Sequence, residues 1–358
     1  MNILHTIDSM HPACGGTSTC TAELVKGLRS AGIRADILCR TAKHPGFSPL
    51  RISPRLRQEL HGRKADIYHT HGLWLDVNHA TCTHARQQQS PCVISTHGML
   101  YTEALQRHAG LKKLMLFLFQ RRLLEQAACL HVTSEQEMQH VKKIVPHSRI
   151  AVIPLPVAEP QQEPEITPHT TFRAGYLGRL HPIKNLESLI RAWGLLQLPN
   201  AELLIMGDGP ECYKESLQRL AEQVGAQGIT FTGFLRDREK YNALASLDVF
   251  CAPSHQENFG MSIAEALLCG TPVLASCHTP WQLLHEHHCG SWQGNSPAEL
   301  AEGLLAYYRL PAKERRLMGR NGTSLIRRQF GTASIARRML RLYHYLLGNT
   351  SKPDFVHE

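Results

Sequence analysis

Short apolar runs alternate with longer segments of helical periodicity along most of the chain. In the first half, apolar runs typical of buried strands lie at residues 2–7, 33–38, 66–72, 93–99 and 128–134. In the second half, they lie at residues 172–177, 203–206, 229–235, 247–253 and 272–275. Turns and helix-forming segments separate consecutive runs, an order typical of βαβ units with parallel sheets. The pattern predicts an α/β protein in which this series occurs twice.

A stretch with few apolar residues divides the two series. Residues 158–170 (AEPQQEPEITPHT) are rich in Pro, Glu, Gln and Thr, as an interdomain linker is. A chain of 358 residues also exceeds what one hydrophobic core usually organises. We therefore predict one domain at 1–157, a linker at 158–170, a second domain at 171–334 and a last helical segment at 335–358.

The composition is that of a globular protein, with 42% hydrophobic and 19% charged residues. No apolar run approaches the ~20 residues that span a bilayer, and residues 1–10 lack the features of a signal peptide. The 11 cysteines contain no C-x-x-C pair and the 22 histidines no H-E-x-x-H spacing. Neither a disulfide framework nor a metal site is predicted, and we expect a cytoplasmic protein with reduced thiols.

The net charge of +9 indicates a polyanionic partner. Nucleic acid is disfavoured because the chain has no Lys/Arg run and no interleaved aromatic and basic residues. Phosphate-bearing substrates and an anionic membrane surface fit better. Residues 107–126 place an apolar run between Lys112, Lys113 and Arg121, Arg122, as in a basic amphipathic helix at a membrane interface. A half-buried domain helix with solvated flanks fits the same pattern.

The stretch 253–276 (PSHQENFGMSIAEALLCGTPVLAS) carries the most specific chemistry. Glu257 and Glu265 bracket a loop that leads into a short apolar helix. Backbone N–H groups at a helix N-terminus hold anions, and ionised carboxylates accept strong hydrogen bonds from hydroxyls. Phosphate and polyol in one site indicate a sugar nucleotide. Alternatively, Ser262 and Glu265 have the S-x-x-E spacing of a capping box, in which Glu265 closes its own helix.

A second motif follows the strand at 172–177. Residues 178–185 (GRLHPIKN) place Arg179 and Lys184 just before the helix predicted at 186–196. Two cations near a helix N-terminus suit a diphosphate. Cations in a surface loop are also commonly just solvated.

In the first half, glycines and histidines lie at the ends of predicted strands. Gly15 and Gly16 form a turn after the first strand, without the G-x-G-x-x-G spacing of a dinucleotide site. Two later strands end in His69, His71 and His97. Ligands of open α/β sheets bind beyond the carboxyl ends of strands, which makes these histidines candidates for a binding cleft. A tight turn for the glycines and a structural role for His69 and His71 are the alternatives.

These motifs together resemble a known family. The E-x7-E spacing of Glu257 and Glu265 and the G-R-x4-K-N string at 178–185 are similar to those of the retaining glycosyltransferases of family 4, or glycosyltransferases group 1. The resemblance implies the GT-B architecture, an α/β fold of two Rossmann-like domains whose parallel sheets face across a cleft. It assigns the acceptor to the N-terminal domain and the donor to the C-terminal domain. It also implies that a helix within 335–358 crosses back to the N-terminal domain.

The resemblance further implies residue roles. Arg179 and Lys184 would bind the donor diphosphate and stabilise the leaving group, Glu257 would approach the transferred sugar, and His97 would reach that sugar beside the reaction centre. The other implied donor contacts are Glu265 at the ribose, the amide loop of Phe259, Gly260, Met261 and Ser262 at sugar and phosphate, Gly15 and Gly16 near the phosphates, and Gly233 and Phe234 at the nucleobase.

The implied reaction is the transfer of a hexose, with retained anomeric configuration, from a UDP- or GDP-sugar to a hydroxyl of a glycan or lipid-linked acceptor. Cell-surface polysaccharide or lipopolysaccharide biosynthesis is the expected context, in the cytoplasm or at the inner face of the cell membrane. No cofactor is implied, and no metal is expected, since two cations serve the diphosphate and the chain has no D-x-D triplet. The alternatives are a sugar-nucleotide epimerase of the same architecture and a non-catalytic basic binding protein.

Overall fold

The computed structural model describes residues 1–11, 16–41, 52–106, 109–165 and 169–358. The chain divides into two compact units. Unit 1 comprises Met1–Ala158 and Phe330–Glu358, and unit 2 comprises Glu159–Gln329.

The strands form two sheets, one in each unit. Those of unit 1 are β1 (Asn2–Ser9), β2 (Arg34–Thr41), β3 (Ile67–His71), β4 (Cys92–Ser95), β5 (Cys129–Val132) and β6 (Ile150–Val152). Those of unit 2 are β7 (Phe172–Leu177), β8 (Ala201–Met206), β9 (Ile229–Gly233), β10 (Val249–Ala252), β11 (Val273–Ser276) and β12 (Gly290–Gln293). A last strand, β13 (Val356–His357), returns to the sheet of unit 1.

Helices occupy most connections between strands. Those of unit 1 are α1 (Gly16–Ser30), α2 (Pro54–His61), α3 (Asp76–Gln87), α4 (Thr102–Gln106), α5 (Ala109–Met115), α6 (Arg121–Glu125) and α7 (Glu135–Lys142). Those of unit 2 are α8 (Leu186–Leu196), α9 (Glu211–Gln223), α10 (Asp237–Ala245), α11 (Met261–Leu268), α12 (Leu283–Glu286), α13 (Pro297–Arg309) and α14 (Ala312–Leu325). The last helix, α15 (Thr332–Leu346), belongs to unit 1. No described helix has both the length and the apolar composition that crossing a bilayer requires.

The sheet of unit 1 has the order β13-β6-β5-β4-β3-β1-β2. Its neighbouring strands are parallel except β13, which is antiparallel to β6. The connections change direction between β1 and β3, which makes that position the topological switch point. Loops that follow β1 and β3 therefore flank the usual ligand position of such a sheet.

The sheet of unit 2 has the order β12-β11-β10-β7-β8-β9, with all neighbours parallel. This is the doubly wound order 3-2-1-4-5-6 of Rossmann folds, with its switch point between β7 and β10. The prediction of two Rossmann-like domains with parallel sheets is confirmed, apart from the antiparallel edge strand β13.

One face of the unit 1 sheet is covered by α1 and α15. Leu28 and Met339 from these helices pack with Ile3 and Val93 from the strands, and all four side chains are fully buried. A Cβ atom at Gly27 would lie 2.8 Å from Cγ2 of Thr332, so the close approach of the two helices requires glycine there. This contact holds the chain's last helix against its first.

The structure corrects one predicted boundary. The strand expected at 93–99 ends at Ser95. His97 therefore stands on the turn after β4 rather than within the strand.

Candidate active site

Two loops of unit 2 meet at its switch point. One follows β7 and contains Arg179 and Lys184; the other follows β10 and contains Glu257. Neighbouring parallel strands place their carboxyl ends at one edge of the sheet, so the residues after them are brought together. The sequence motifs at 178–185 and 253–276 thus form one site within unit 2.

Lys184 and Glu257 form an ion pair. Nζ of Lys184 lies 2.5 Å from Oε1 of Glu257, and the Ser254 hydroxyl donates to the same oxygen at 2.9 Å. The two charged side chains are only 19% and 14% exposed, so water weakens their attraction less than it does at the surface. The pair joins the two motifs directly.

Asn185 fixes the loop that carries Lys184. A single 3₁₀ turn, Pro182–Lys184, leads into Asn185, which has a left-handed backbone with φ 55°. Its buried side chain donates to the carbonyl oxygens of Pro253 (3.2 Å) and Asn295 (3.0 Å). This residue therefore anchors the Lys184 loop to the start of the Glu257 loop.

The Phe259–Met261 turn starts α11 and is held by Trp281. Gly260 has φ 81°, and a Cβ atom there would lie 3.1 Å from Nε1 of Trp281. That indole nitrogen donates to the Phe259 carbonyl at 2.5 Å. The first turn of α11, including Ser262, presents the positive end of the helix and its backbone N–H groups. The glycine makes this close packing compatible with a helix start.

Glu265 pairs with a residue that the sequence analysis missed. Its Oε1 lies 2.8 Å from Nζ of Lys240, which comes from α10. Burial alone would lower the pKa of Lys240, but the Glu265 carboxylate and Tyr241 outweigh it and the pKa is raised. The alternative capping box is not formed, because Gly260 occupies the N-cap position and Ser262 lies inside the helix.

The other predicted residues of unit 2 are more open. Arg179 is exposed and has no ion pair with any residue that the structure describes. Gly233 ends β9 with φ 75°, and Phe234 follows with 64% of its surface exposed. The Arg236 guanidinium lies 5.2 Å from the Phe234 ring centre. An exposed aromatic face is available there for stacking.

His97 lies on a turn of unit 1 that a buried carboxylate holds in place. Its φ of 48° lies in the left-handed region, a backbone conformation that residues other than glycine rarely adopt. On either side, the Thr96 hydroxyl (2.6 Å) and the Gly98 N–H (2.5 Å) donate to Oε1 of Glu137. Thr133 donates its N–H (2.8 Å) and hydroxyl (3.0 Å) to the other oxygen. Glu137 therefore clamps the backbone around His97.

Ser134 and Glu137 have the S-x-x-E spacing of a capping box, which is only half formed here. Ser134 accepts from the Glu137 N–H at 3.2 Å, as an N-cap residue does, while the Glu137 carboxylate turns to the His97 loop. Burial raises the pKa of Glu137, and its four donors act in the opposite direction. The S-x-x-E spacing marks the helix start correctly but does not reveal this second role.

The remaining predicted residues of unit 1 differ in exposure. His69 and His71 are buried within β3, which fits the structural alternative. His97 is partly exposed, and burial lowers its pKa to about 3, with a smaller contribution from His131. Gly16 is exposed at the start of α1, while Gly15 lies outside the described residues.

Two family models match the chain. The model "Glycosyl transferase 4-like domain" matches residues 40–156, and "Glycosyl transferases group 1" matches residues 171–309. The first range lies in unit 1 and the second in unit 2. The chain belongs to the group 1 glycosyltransferases of family 4.

Curated relatives support this membership. The chain is 31% identical over 163 residues to the GDP-mannose-dependent alpha-(1-6)-phosphatidylinositol dimannoside mannosyltransferase of Mycobacterium tuberculosis, which covers 45% of this chain and 42% of that protein. It is 24% identical over 320 residues to the 2-deoxystreptamine N-acetyl-D-glucosaminyltransferase of Streptomyces fradiae, covering 73% and 74% of the two chains. The match thus spans less than half the length of the mannosyltransferase.

Solved structures share the GT-B fold along nearly the whole chain. Sucrose-phosphate synthase from Thermosynechococcus elongatus has a TM-score of 0.76 at 21% identity, covering 98% of this chain and 100% of that one. Anabaena HepE in complex with UDP and glucose has a TM-score of 0.74 at 19% identity, covering 96% and 100%. WaaG, a glycosyltransferase involved in lipopolysaccharide biosynthesis, has a TM-score of 0.67 at 15% identity, covering 97% and 100%.

Proposed function

We propose that this protein transfers a hexose from a UDP- or GDP-sugar to a hydroxyl group of a glycan or lipid-linked acceptor, with retention at the anomeric carbon and without a divalent metal ion. Cell-surface polysaccharide or lipopolysaccharide biosynthesis is the proposed context, in the cytoplasm or at the inner face of the membrane. The observation that carries the proposal is the Lys184–Glu257 pair at the switch point of unit 2, beside the N-terminus of α11.

The proposed chemistry follows from charge. When the bond between sugar and diphosphate breaks, negative charge develops on the departing phosphate. Lys184 and the exposed Arg179 would face that charge, together with the positive end of α11. Two cations and a helix end supply the neutralisation for which other enzymes use a divalent ion.

We propose that the donor enters by displacing this ion pair. Glu257 is the counterion of Lys184, at 2.5 Å. A donor phosphate would compete for Lys184 and free the Glu257 oxygens to accept from sugar hydroxyls. Glu265 would bind the ribose, the Phe259–Ser262 amides the sugar and phosphate, and Phe234 the base.

In unit 1, we propose His97 as a contact of the donor sugar and Gly15 and Gly16 as residues near the donor phosphates. The strained backbone of His97 supports its proposed contact with the sugar, because strain of this kind is common at functional positions. Such strain persists only where surrounding contacts enforce it. Here, four hydrogen bonds to Glu137 hold the backbone around His97 in this conformation.

Relatives offer both donor nucleotides. HepE was crystallised with UDP-glucose, and the mycobacterial relative is named for GDP-mannose.

The decisive experiment is a thermal-shift titration with UDP, GDP, ADP and their sugar conjugates, in Mg²⁺ or EDTA. A ligand at ~100 times its dissociation constant adds about 2.7 kcal/mol of stability. We expect one nucleotide family to raise the melting temperature equally with and without metal.

A matched pair of variants sharpens the test. Lys184→Ala should lose most of the shift, whereas Lys214→Ala, which removes a lysine paired with Glu211 on α9, should keep it. A shift that needs Mg²⁺ would contradict metal independence. Conversion of the donor to an epimer in the absence of acceptor would contradict transfer, and no shift with any nucleotide would contradict the whole proposal.

We also propose that the segment 107–126, of which the structure describes residues 109–126, binds an anionic membrane surface. Leu111, Leu114, Phe117 and Leu118 are 53–86% exposed, and Lys113, Arg121 and Arg122 are exposed beside them. The chain stays helical from Ala109 to Glu125, with a π-helical stretch, Leu116–Gln120, joining α5 to α6. Exposed apolar side chains flanked by cations suit the interface of an anionic bilayer.

A further inference from the structure

Unit 1 contains a group of buried histidines for which sugar transfer assigns no role. Strand register sets His5 beside His69, and Ser95 beside both His71 and His131. The four imidazoles are at most 5% exposed. A row of polar rings in an otherwise apolar layer requires hydrogen-bond partners.

A metal ion does not account for this group. His5, His69 and His71 each have a nitrogen within 4.8 Å of the others. However, the rings of His69 and His71 are stacked with only 22° between their planes, so their in-plane lone pairs do not converge on one ion. Both nitrogens of His69 are also hydrogen-bonded, to Tyr343 and Ser95. The cluster is a hydrogen-bond network.

The direction of one chain in this network is set by a carbonyl group. The Ile153 oxygen only accepts, so Nε2 of His131, 2.7 Å away, donates to it. Nδ1 of His131 then accepts from the Ser95 hydroxyl at 2.6 Å. The Ser95 oxygen accepts from Nε2 of His69 at 2.7 Å, and Nδ1 of His69 accepts from the Tyr343 hydroxyl at 2.6 Å. Neutral rings satisfy every nitrogen of this chain.

A second chain runs from His5 through His71 to His97. Nδ1 of His5 lies 2.9 Å from Nε2 of His71, and Nδ1 of His71 lies 3.2 Å from Nε2 of His97. At its inner end, Nε2 of His5 is buried with no partner among the described residues. Nδ1 of His97, at the outer end, has no hydrogen bond within the described part of the chain.

The inner end decides the direction of the second chain. If the protons pointed inward, Nε2 of His5 would be a buried N–H without an acceptor. If they point outward, it is a buried lone pair. An orphaned buried N–H is the rarer of the two. The protons therefore point outward, from His5 to His71 and from His71 to His97.

We propose that His5 and His71 are positioning residues that hold His97 in its Nδ1–H tautomer. His97 then meets its ligand as a hydrogen-bond donor, because Nε2 already accepts from His71. A base is excluded at this position, and an acceptor oxygen is the required partner. That the oxygen belongs to the donor sugar rests on the proposed function, whereas the tautomer does not.

Long-range ¹H–¹⁵N correlation spectra of the full chain, labelled with ¹⁵N-histidine and free of ligand, test the tautomer at neutral pH. We expect a protonated Nδ1 and a bare Nε2 on His97, identified by loss of its signals in His97→Gln. His71→Phe keeps a ring but removes both hydrogen bonds, so the proton should move to Nε2, at least in part. The matched control is His84→Phe, a buried histidine of α3 whose Nε2 lies 3.2 Å from the Arg63 carbonyl.

A proton on Nε2 of wild-type His97 would overturn the proposal, as would an unchanged tautomer in His71→Phe. If His71→Phe does not fold, the wild-type spectrum and His5→Phe carry the test. Once the donor is identified, kcat/KM in His71→Phe should fall about tenfold, the value of one neutral hydrogen bond, while His84→Phe stays near wild type. The spectra need no nucleotide, so their outcome is independent of whether nucleotide binding is found.

Discussion

Lys184 and Glu257 are 73 positions apart in the chain and 2.5 Å apart in the structure. Replacing Lys184 by Met keeps much of the side-chain length and removes the cation that would face the leaving phosphate. We expect kcat to fall by about 10²–10³, as for other groups that stabilise developing charge. Steady-state transfer assays with the identified donor measure this, with Lys214→Met as the control. A kcat within a factor of about two of wild type would remove Lys184 from the proposed chemistry.

The motif residues could be predicted from sequence, but their partners could not. Motif spacing together with the resemblance to family 4 singled out Lys184, Glu257 and Glu265, because a turn between strand and helix is a local feature of the sequence. Lys240 reaches Glu265 only because α10 packs on α11, and no sequence interval encodes that contact. Glu137 has a local signal, the S-x-x-E spacing, which predicts the helix cap. This spacing does not predict that Glu137 contacts the His97 loop.

Among the structural elements, the histidine-bearing strands of unit 1 determine how the protein responds to acid. Burial lowers the pKa of His5 to about 3 and that of His131 to about 4, from an ordinary value of 6.5, and it lowers those of His69 and His71 as well. Between these lowered pKa values and 6.5, the unfolded chain therefore binds more protons than the folded chain. The stability contributed by the neutral imidazoles is fully present above pH 6.5 and is lost as the pH falls through this window.

We therefore expect the free energy of unfolding of unit 1 to decline steeply below about pH 6.5, by roughly 1 kcal/mol per pH unit for each buried histidine. Hydrogen exchange across a pH series, read in segments of unit 1, measures the decline. His131→Phe should make it shallower, while His147→Gln, at an exposed position, should leave it unchanged. A flat profile down to about pH 5 would contradict neutral buried imidazoles.

Strand β4 shows why the predicted strand end at residue 99 was wrong. Past Ser95, Thr96 is β-branched and Met99 is apolar, so the sequence pattern extends the strand to residue 99. The Glu137 carboxylate instead draws the Thr96 hydroxyl and the Gly98 N–H to itself. A tertiary contact with α7 ends the strand, and this contact puts His97 on a turn.

For the whole chain, alternation of apolar runs and turns was enough to predict an α/β protein with two series of βαβ units, because each unit has a local signature. The two Rossmann-like domains came from the resemblance to family 4. The antiparallel edge strand β13 was missed. It is two residues long and pairs with β6 at Val356 and His357, after α15 has packed on α1. A strand this short has no periodicity of its own and depends on that return of the chain.

The proposed membrane binding is tested on the intact protein, where charge reversal at the proposed surface should abolish it. Each exposed cation near an anionic bilayer contributes about 1 kcal/mol, so Lys113→Glu, Arg121→Glu and Arg122→Glu together should lower partitioning into phosphatidylglycerol-containing vesicles by about 100-fold or more. The control reverses three exposed cations on α14, Lys313, Arg316 and Arg320, and changes the net charge equally.

Vesicle co-sedimentation at low and at high salt distinguishes a built surface from nonspecific attraction. If net charge alone drives binding, both triple variants will weaken it alike and high salt will abolish it. If residues 107–126 form the surface, only the first variant will lose binding. Phe117→Ser with Leu118→Ser will then weaken binding even at high salt, because these side chains, 86% and 62% exposed, contribute burial in the acyl layer that salt does not screen.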